Sequence, residues 1–273
     1  MSWTFLNAPL LIAGPCAVEE DAVLDQVAET LAAIGLRLGI PVCFKASFDK
    51  ANRARFAAPR GPGIEAGLAA LLRIKHRFGL PVLTDIHEPA QARIAAEVVD
   101  ALQIPAFLCR QTDLLLAAGV TGLPVNVKKG QWMAPEAMAG AVEKVREGGS
   151  SDLAVTERGT AFGYGDLVVD MRSFSRMRTS TGAAVLFDAT HAVQQPGLGV
   201  AGSSGGAREQ VPALLAAAAA AGADGFFIET HPDPDRALSD AATQWPLDQL
   251  EELLARTLDV WHVGQRAATP PRR

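Results

Sequence analysis

Six cationic side chains in this sequence follow short apolar runs, at the points where those runs give way to polar residues. The six are Lys45, Lys50, Arg53, Arg110, Lys128 and Arg158. A single lysine or arginine is usually a solvated surface charge, but six that share one location repel one another unless anions neutralise them. Arginine binds phosphate and carboxylate through paired N–H groups, and lysine acts as a point charge. The set therefore predicts a site for small, multiply anionic ligands.

A second set of residues has the chemistry of metal ligands, namely Cys16, His191, Glu229 and Asp240. One thiolate, one imidazole and two carboxylates suit a divalent ion such as Zn²⁺, Fe²⁺, Mn²⁺ or Co²⁺, and the mixture is too soft for Mg²⁺ or Ca²⁺. Each residue also has an ordinary structural role open to it, because a lone cysteine is usually a small buried hydrophobe. The four are far apart along the chain, so a metal site requires a fold that brings them together.

The elements that must position these residues alternate along the chain, with eight short apolar runs separated by stretches of helical spacing. The runs are Leu10–Ala13, Val42–Ala46, Val82–Asp85, Leu102–Ala106, Val125–Lys128, Leu153–Thr156, Val185–Asp188 and Gly225–Glu229. The clearest helical stretches are Asp21–Leu38, Ile64–Phe78, Pro135–Glu147 and Arg208–Ala221. Apolar runs without polar alternation indicate strands of a parallel sheet covered on both faces. We therefore predict an α/β fold, a single (β/α)8 TIM barrel, with an open doubly wound sheet as the alternative.

Closure of the barrel would gather both sets of side chains. The C-terminal ends of parallel barrel strands meet at one end, where the chemistry of such folds takes place. Strand 8 would lie between strands 7 and 1, so Cys16, His191 and Glu229 would converge, with Asp240 supplied by the loop after strand 8. The candidate proton carriers at this end, which sequence cannot rank, are Asp85, His87, His191 and Glu229.

Composition and length limit the class of protein. The chain has 273 residues, of which 49% are hydrophobic and 20% charged, as in ordinary soluble globular proteins. A barrel takes roughly 250 residues, so we expect one catalytic domain over residues 1–266 and a disordered tail over 267–273. The net charge of −5 gives no general attraction to nucleic acid or anionic membranes. Three scattered cysteines, and a start at Met1–Val18 without a secretory pattern, favour the cytoplasm.

A glycine-rich stretch follows the seventh run, and it is either a mobile lid or a flexible surface loop. Its glycines are Gly197, Gly199, Gly202, Gly205 and Gly206. A weaker candidate of the same kind follows the sixth run at Gly163, Gly165 and Asp166.

Several of these segments together resemble the 3-deoxy-D-manno-octulosonate 8-phosphate synthases. The segments are Phe44–Arg53, Thr84–Glu88, Arg110–Leu114, Asn126–Lys129 and Asp188–His191. The likeness runs from about Leu11 to Leu247, and Phe44–Arg53 is its most specific part. Gly14-Pro15-Cys16 is less specific, because the related 3-deoxy-D-arabino-heptulosonate 7-phosphate synthases share it.

The resemblance implies a barrel, usually a homotetramer, that condenses phosphoenolpyruvate with D-arabinose 5-phosphate on the route to lipopolysaccharide. Carried over residue by residue, it implies these roles: Lys45 and Lys50 at the phosphoenolpyruvate carboxylate, Lys128 and Arg158 at its phosphate, Asn52 and Arg53 at the sugar phosphate, and Arg110 in phosphate recognition. Cysteine at position 16 marks the metal-dependent branch, with Cys16, His191, Glu229 and Asp240 as ligands. Ser239–Ala242 departs from the Cys-Asp-Gly-Pro pattern of the metal-independent branch. Ala54 and Arg55 stand where some members carry serine.

Two other functions remain open at this point. A heptulosonate synthase would use erythrose 4-phosphate, although Phe44–Arg53 speaks against it. A catalytically silent barrel that binds sugar phosphates would keep the basic rim but would have no need of the thiol, imidazole and carboxylate set.

Overall fold

Eight parallel strands form a closed barrel in the computed structural model, which describes residues 3–53, 55–162, 164–199 and 204–268. The strands are β1 Leu10–Gly14, β2 Val42–Lys45, β3 Val82–Asp85, β4 Ala101–Ile104, β5 Val125–Lys128, β6 Leu153–Glu157, β7 Ala184–Asp188 and β8 Gly225–His231. Each strand pairs with the next, and β1 pairs with β8 from Leu10 opposite Gly225 to Gly14 opposite Glu229. The predicted (β/α)8 TIM barrel is confirmed, and the open sheet is excluded.

Eight helices alternate with the strands. They are α1 Asp21–Leu38, α2 Ile64–Phe78, α3 Pro89–Ala96, α4 Thr112–Val120, α5 Met138–Gly148, α6 Ser173–Thr181, α7 Val211–Ala220 and α8 Leu250–Ala268. The bounds of α1 and α2 agree with the prediction. The helices predicted from Pro135 and Arg208 each begin with a 3₁₀ turn, so their α-helical parts start at Met138 and Val211.

Two hydrophobic clusters explain why the strands lack polar alternation. Successive side chains of a strand point to opposite faces, so Leu11 and Ala13 pack in the large cluster shared with the helices, whereas Leu10 and Ile12 pack in the smaller one inside the barrel. Both faces of each strand are thus removed from water, as expected for a parallel sheet.

The N-terminal end of the barrel is closed by the residues that precede β1. Trp3 and Phe5 belong to the interior cluster and meet edge to face at 6.1 Å between ring centroids. The Phe5 amide donates a hydrogen bond of 3.1 Å to Oδ1 of Asp152, which directly precedes β6. Because this end is filled, the opposite end is where a cavity can open.

Strand β4 differs from the prediction, which extended it from Leu102 to Ala106. It spans Ala101–Ile104, because Pro105 has no N–H to donate to a neighbouring strand. The residues Ala106–Leu108 form a 3₁₀ turn instead.

Parts of the predicted loops and tail lie outside the described residues. Gly163, Gly202 and Ala54 are among these, as are residues 269–273. The tail expected from Ala267 onward begins inside α8, which ends at Ala268. In the glycine-rich stretch after β7, Gln194–Gln195 pairs antiparallel with Gly205–Gly206. Across the described ranges, no helix is long and apolar enough to cross a bilayer.

Candidate active site

A cavity of about 1110 Å³ opens at the C-terminal ends of the strands. Ten of the residues predicted for the site line it: Lys45, Lys50, Asn52, Arg53, Asp85, His87, Lys128, Arg158, His191 and Asp240. Cys16 and Glu229 are fully buried. Each is hydrogen-bonded to a residue that lines the cavity, Cys16 to Asp240 and Glu229 to Lys45. The structure therefore brings together almost all of the residues that the sequence assigned to one rim.

Arg110 is the exception among the predicted residues. Its side chain is exposed and does not line the cavity, and its backbone carbonyl accepts a hydrogen bond of 3.1 Å from Nζ of Lys144. The chain follows the cavity from Pro105 to Leu108 and leaves it before Arg110. The predicted phosphate role of Arg110 therefore stays a prediction that this chain's own cavity does not support.

Three of the four predicted metal ligands form a compact group. Sγ of Cys16 and carboxylate oxygens of Glu229 and Asp240 all lie within 4.8 Å of one another. The pairing of β1 with β8 places Gly14 opposite Glu229, which brings Cys16 beside that carboxylate. The thiol of Cys16 lies 2.9 Å from Oδ2 of Asp240 and donates to it.

The fourth predicted ligand, His191, lies against this group. Its Nε2 is 3.8 Å from Oε2 of Glu229, and its Nδ1 is 2.8 Å from Oδ2 of Asp188. A carboxylate at the second ring nitrogen can orient a histidine toward a metal, although Nδ1 of His191 has no hydrogen-bond partner of suitable geometry among the described residues. Asp188 is the last residue of β7 and is fully buried. In the sequence, only its position at the inward-facing end of a predicted strand indicated that it could contact His191.

The donor set fits a divalent cation. Oε2 of Glu229 is buried and has no hydrogen-bond partner among the described residues, which is costly unless a cation occupies that side. Burial raises the pKa of the Cys16 thiol well above its ordinary value, and the negative charges of Asp240 and Glu229 raise it further. A bound cation would reverse that effect, because a coordinating thiol is deprotonated. The cluster is thus compatible with a divalent metal.

The backbone at Asp240 is strained. Its φ of 51° lies in the left-handed region, which costs a non-glycine residue on the order of 1–3 kcal/mol at such sites. Hydrogen bonds hold the side chain in place, since Gln194 Nε2 donates to Oδ1 at 2.8 Å and Ser239 Oγ donates to Oδ2 at 3.1 Å. Neither contact was predicted; the one from Gln194 comes from tertiary packing, and the one from Ser239 is made by the adjacent residue.

Gly14 allows β1 and β2 to approach closely beside the cluster. Its φ is +155°, and a Cβ at this position would lie 2.1 Å from the carbonyl oxygen of Lys45. The close approach lets Nζ of Lys45 donate to the carbonyl of Cys16 at 3.0 Å. Glycine at this position therefore couples the predicted metal ligand to a predicted substrate-binding lysine.

Carboxylates of the protein neutralise part of the cationic rim. Lys45 Nζ donates to Oε1 of Glu229 at 2.8 Å, and Lys128 Nζ pairs with Asp188. Burial lowers the pKa of Lys128 to about 8, although Asp188 works against that fall. The expectation that only anionic ligands would relieve the repulsion among these cations was therefore incomplete, because sequence does not reveal which carboxylates face them.

Arg158 keeps part of its guanidinium available. The residue is 4% exposed, its Nη2 donates to Oε1 of Gln194 at 2.8 Å, and its Nη1 is buried without a partner in the described part of the chain. The backbone around it is fixed by Glu157, whose Oε1 accepts from the amides of Arg158 and Gly159 at 3.0 and 2.7 Å. A buried, unpaired N–H on the cavity wall is a ready donor for an anion.

A belt of hydrogen bonds crosses the barrel interior below the cavity. Ser47 Oγ and Gln103 Nε2 donate to the two oxygens of Asp85 at 2.5 and 2.7 Å. Asn126 Nδ2 donates to Gln103 at 2.8 Å, and Thr156 Oγ1 donates to Asn126 at 2.7 Å. The belt fixes the carboxylate of Asp85 at the floor of the site.

The charge state of Asp85 follows from its neighbours. Burial acts to raise its pKa, but Lys45 and Lys50 outweigh burial and hold the pKa below the ordinary value. Nζ of Lys45 lies 3.6 Å from Oδ2 of Asp85. Asp85 is therefore ionised and can accept a proton or a hydrogen bond. Nearby, burial lowers the pKa of His87, which also lines the cavity.

Comparison with known proteins gives a family match over nearly the whole chain. The model of the DAHP synthetase I family matches residues 7–264. A protein of Syntrophotalea carbinolica is 56% identical over 255 residues, covering 93% of this chain and 91% of that protein. One of Desulfotalea psychrophila is 54% identical over 251 residues, covering 92% and 89%. One of Rhodopseudomonas palustris strain BisB5 is 57% identical over 248 residues, covering 91% and 86%. All three are named 2-dehydro-3-deoxyphosphooctonate aldolase.

Proposed function

The chain belongs to the DAHP synthetase I family, and from that premise we propose that it condenses phosphoenolpyruvate with D-arabinose 5-phosphate. The products are 3-deoxy-D-manno-octulosonate 8-phosphate and phosphate, on the route to lipopolysaccharide. The names of relatives that are 53–57% identical support this reaction. The observation that carries it is one cavity that holds five predicted cationic side chains beside a group of thiol and carboxylate ligands.

Phosphoenolpyruvate takes the deep, buried part of the cavity in this proposal. Lys45 and Lys50 face its carboxylate, and Lys128 and Arg158 hold its phosphate. The partnerless Nη1 of Arg158 supports this assignment, because an anion there would complete the hydrogen bonding of a buried cation.

The sugar phosphate takes the outer part, beside Asn52 and Arg53. In the structure the guanidinium of Arg53 donates to Ser239 Oγ at 2.5 Å and to the Leu238 carbonyl at 3.1 Å. These neutral partners would be exchanged for, or shared with, a phosphate, which forms stronger charge-assisted hydrogen bonds.

Cys16, His191, Glu229 and Asp240 would hold a divalent ion, which we propose to be Zn²⁺, Fe²⁺, Mn²⁺ or Co²⁺. When bound, such an ion supplies a Lewis-acid contact that orients and polarises the sugar aldehyde. Asp188 would orient His191 through Nδ1, leaving Nε2 on the side of Glu229.

By holding both substrates side by side, the side chains of the cavity let a reaction between two molecules proceed as if it took place within one. The cations hold both anions so that C3 of phosphoenolpyruvate faces the aldehyde carbon, which removes much of the entropic cost of the encounter. A carbon–carbon bond forms there, the aldehyde oxygen takes a proton, a water oxygen adds to C2, and phosphate leaves. Asp85, Glu229, His191 and His87 are the groups placed to hold or move the protons.

An assay of phosphate release from phosphoenolpyruvate with different aldose phosphates tests the reaction. We expect release with D-arabinose 5-phosphate and none with erythrose 4-phosphate. Release with the tetrose alone would make the chain a heptulosonate synthase, and no release with either would make it a binding protein.

Lys128 gives the reaction a pH dependence. Because burial lowers its pKa to about 8, the lysine is charged below that pH and loses its attraction for phosphate above it. We expect kcat/KM for phosphoenolpyruvate, which reports groups of the free enzyme, to fall as the pH rises through about 8. Lys128→Arg should remove this alkaline fall, because arginine stays protonated. A wild-type profile that is flat from about pH 7 to about pH 9.5 would count against Lys128 as a phosphate ligand.

Assembly and location complete the proposal. Phe107, which lines the cavity, and Trp132 are half exposed, with 6.2 Å between their ring centroids; the homotetramer, which the resemblance implies, would give such a surface a partner to cover it. Arg110, exposed outside the cavity, keeps its predicted phosphate role only as part of such an assembly. We also propose that the chain acts in the cytoplasm, where its three free cysteines stay reduced.

A further inference from the structure

The loop that carries Asp240 is held at both backbone polar groups of one residue, Leu238. The backbone amide of Leu238 donates to Oε1 of Glu19 at 3.2 Å, and the backbone carbonyl of Leu238 accepts from Nη2 of Arg53 at 3.1 Å. Glu19 lies before α1, more than two hundred residues away in sequence, as the separation of 219 shows. Its contact is therefore a tertiary restraint on the loop, two residues before Asp240.

The second oxygen of Glu19 lies near the start of the same loop. Oε2 lies 3.4 Å from Nε2 of His231, the last residue of β8. Nδ1 of His231 accepts a hydrogen bond of 3.0 Å from the amide of Asp233, so in the neutral ring the proton is on Nε2, which faces Glu19. The imidazole is 4% exposed. One carboxylate thus lies beside the beginning of the loop and holds its middle by a hydrogen bond.

These restraints act next to a strained residue. Asp240 has a φ of 51°, and a backbone of this kind persists only when its surroundings determine it. Without the restraint at Leu238, the loop can relax and move the carboxylate of Asp240 away from Cys16 and Glu229. The three ligand atoms lie within 4.8 Å of one another in the restrained arrangement.

We propose that Glu19 is a positioning residue for the metal centre, acting through Leu238 on the loop that presents Asp240. The inference rests on the metal site proposed above. Glu19 does not itself line the cavity and is not part of the ligand group, so its effect would reach the ion through Leu238 and the loop. Partners beyond the ligands are worth about 10–100-fold in metal affinity at known sites.

The test is a titration of the metal-free protein with Co²⁺, followed by the absorption of the cobalt–thiolate bond. Glu19→Ala should raise the Kd for Co²⁺ by about 10–100-fold. Glu19→Gln should raise it less, because its amide oxygen can still accept from Leu238. Glu20→Ala is the matched control, since Glu20 is adjacent, exposed and makes no side-chain cap hydrogen bond to α1. It should bind Co²⁺ as the wild type does.

The kcat of Glu19→Ala distinguishes a positioning effect on the metal from a general loss of structure. At saturating Co²⁺, kcat of Glu19→Ala should recover, whereas at limiting Co²⁺ it should be low. Unchanged Co²⁺ affinity in both Glu19 variants would overturn the inference and leave the metal site intact. Failure of the wild type to bind Co²⁺ would instead overturn the proposed metal site. If Glu19→Ala does not fold, Glu19→Gln decides the question.

Discussion

Cys16→Asn is expected to abolish stoichiometric binding of a divalent ion, because it replaces the only thiolate in the ligand group with a weakly binding amide. Cys16 lies 2.9 Å from Asp240, and its burial leaves the thiol protonated unless a cation is bound. Loss of one ligand should weaken binding by more than the roughly 10–100-fold that loss of an outer partner costs. Metal content after dialysis, measured by elemental analysis, checks the result.

Cys43→Ala is the matched control for this substitution. Cys43 is also fully buried and unpaired, but it packs in the cluster inside the barrel rather than in the ligand group. Its variant should retain one ion per chain. Wild-type metal content in Cys16→Asn would remove Cys16 from the ligand set.

Arg158→Ala is expected to lower kcat/KM for phosphoenolpyruvate by on the order of 10²–10³, as loss of a buried donor to a reacting oxyanion does. Arg158 is the cation with a buried, partnerless N–H on the cavity wall. Its removal takes away a charge and two donors at the proposed phosphate position. Steady-state kinetics with each substrate varied in turn should place the larger part of the loss on phosphoenolpyruvate.

Two further variants test whether the loss in kcat/KM is specific to the guanidinium of Arg158. Arg158→Lys should recover part of the loss, because it restores the charge without the paired N–H groups. Arg172→Ala should behave as the wild type, since Arg172 is an exposed arginine paired with Asp170. Unchanged kinetics for phosphoenolpyruvate in Arg158→Ala would refute the proposed phosphate site.

The barrel could be predicted because its physical cause is local. A strand with both faces covered is mostly apolar, and a run such as Leu10–Gly14 shows this within five residues. Once eight strands are placed in order, the polar residue at each C-terminal end is assigned to the rim without knowledge of any side-chain contact. For this reason Cys16 and Glu229, which are distant in sequence, could be predicted to meet.

The remaining features depend on contacts that no local pattern records. One proline ends β4 early, and Arg110, six residues beyond the end of the strand, does not line the cavity. The pairing of Lys128 with Asp188 and the bridge that Gln194 forms between Arg158 and Asp240 depend on side-chain orientation across the barrel. Glu19 gives no sequence signal, because its partner Leu238 lies at the far end of the chain.

The most direct measurement is the rate of phosphate release from phosphoenolpyruvate and D-arabinose 5-phosphate by one preparation before chelation, after exhaustive chelation, and after Mn²⁺, Co²⁺ or Zn²⁺ is added back. The cation-lined cavity and its adjoining ligand group predict turnover that disappears with the metal and returns in part with at least one of these ions. Full turnover by protein proven free of metal would contradict it.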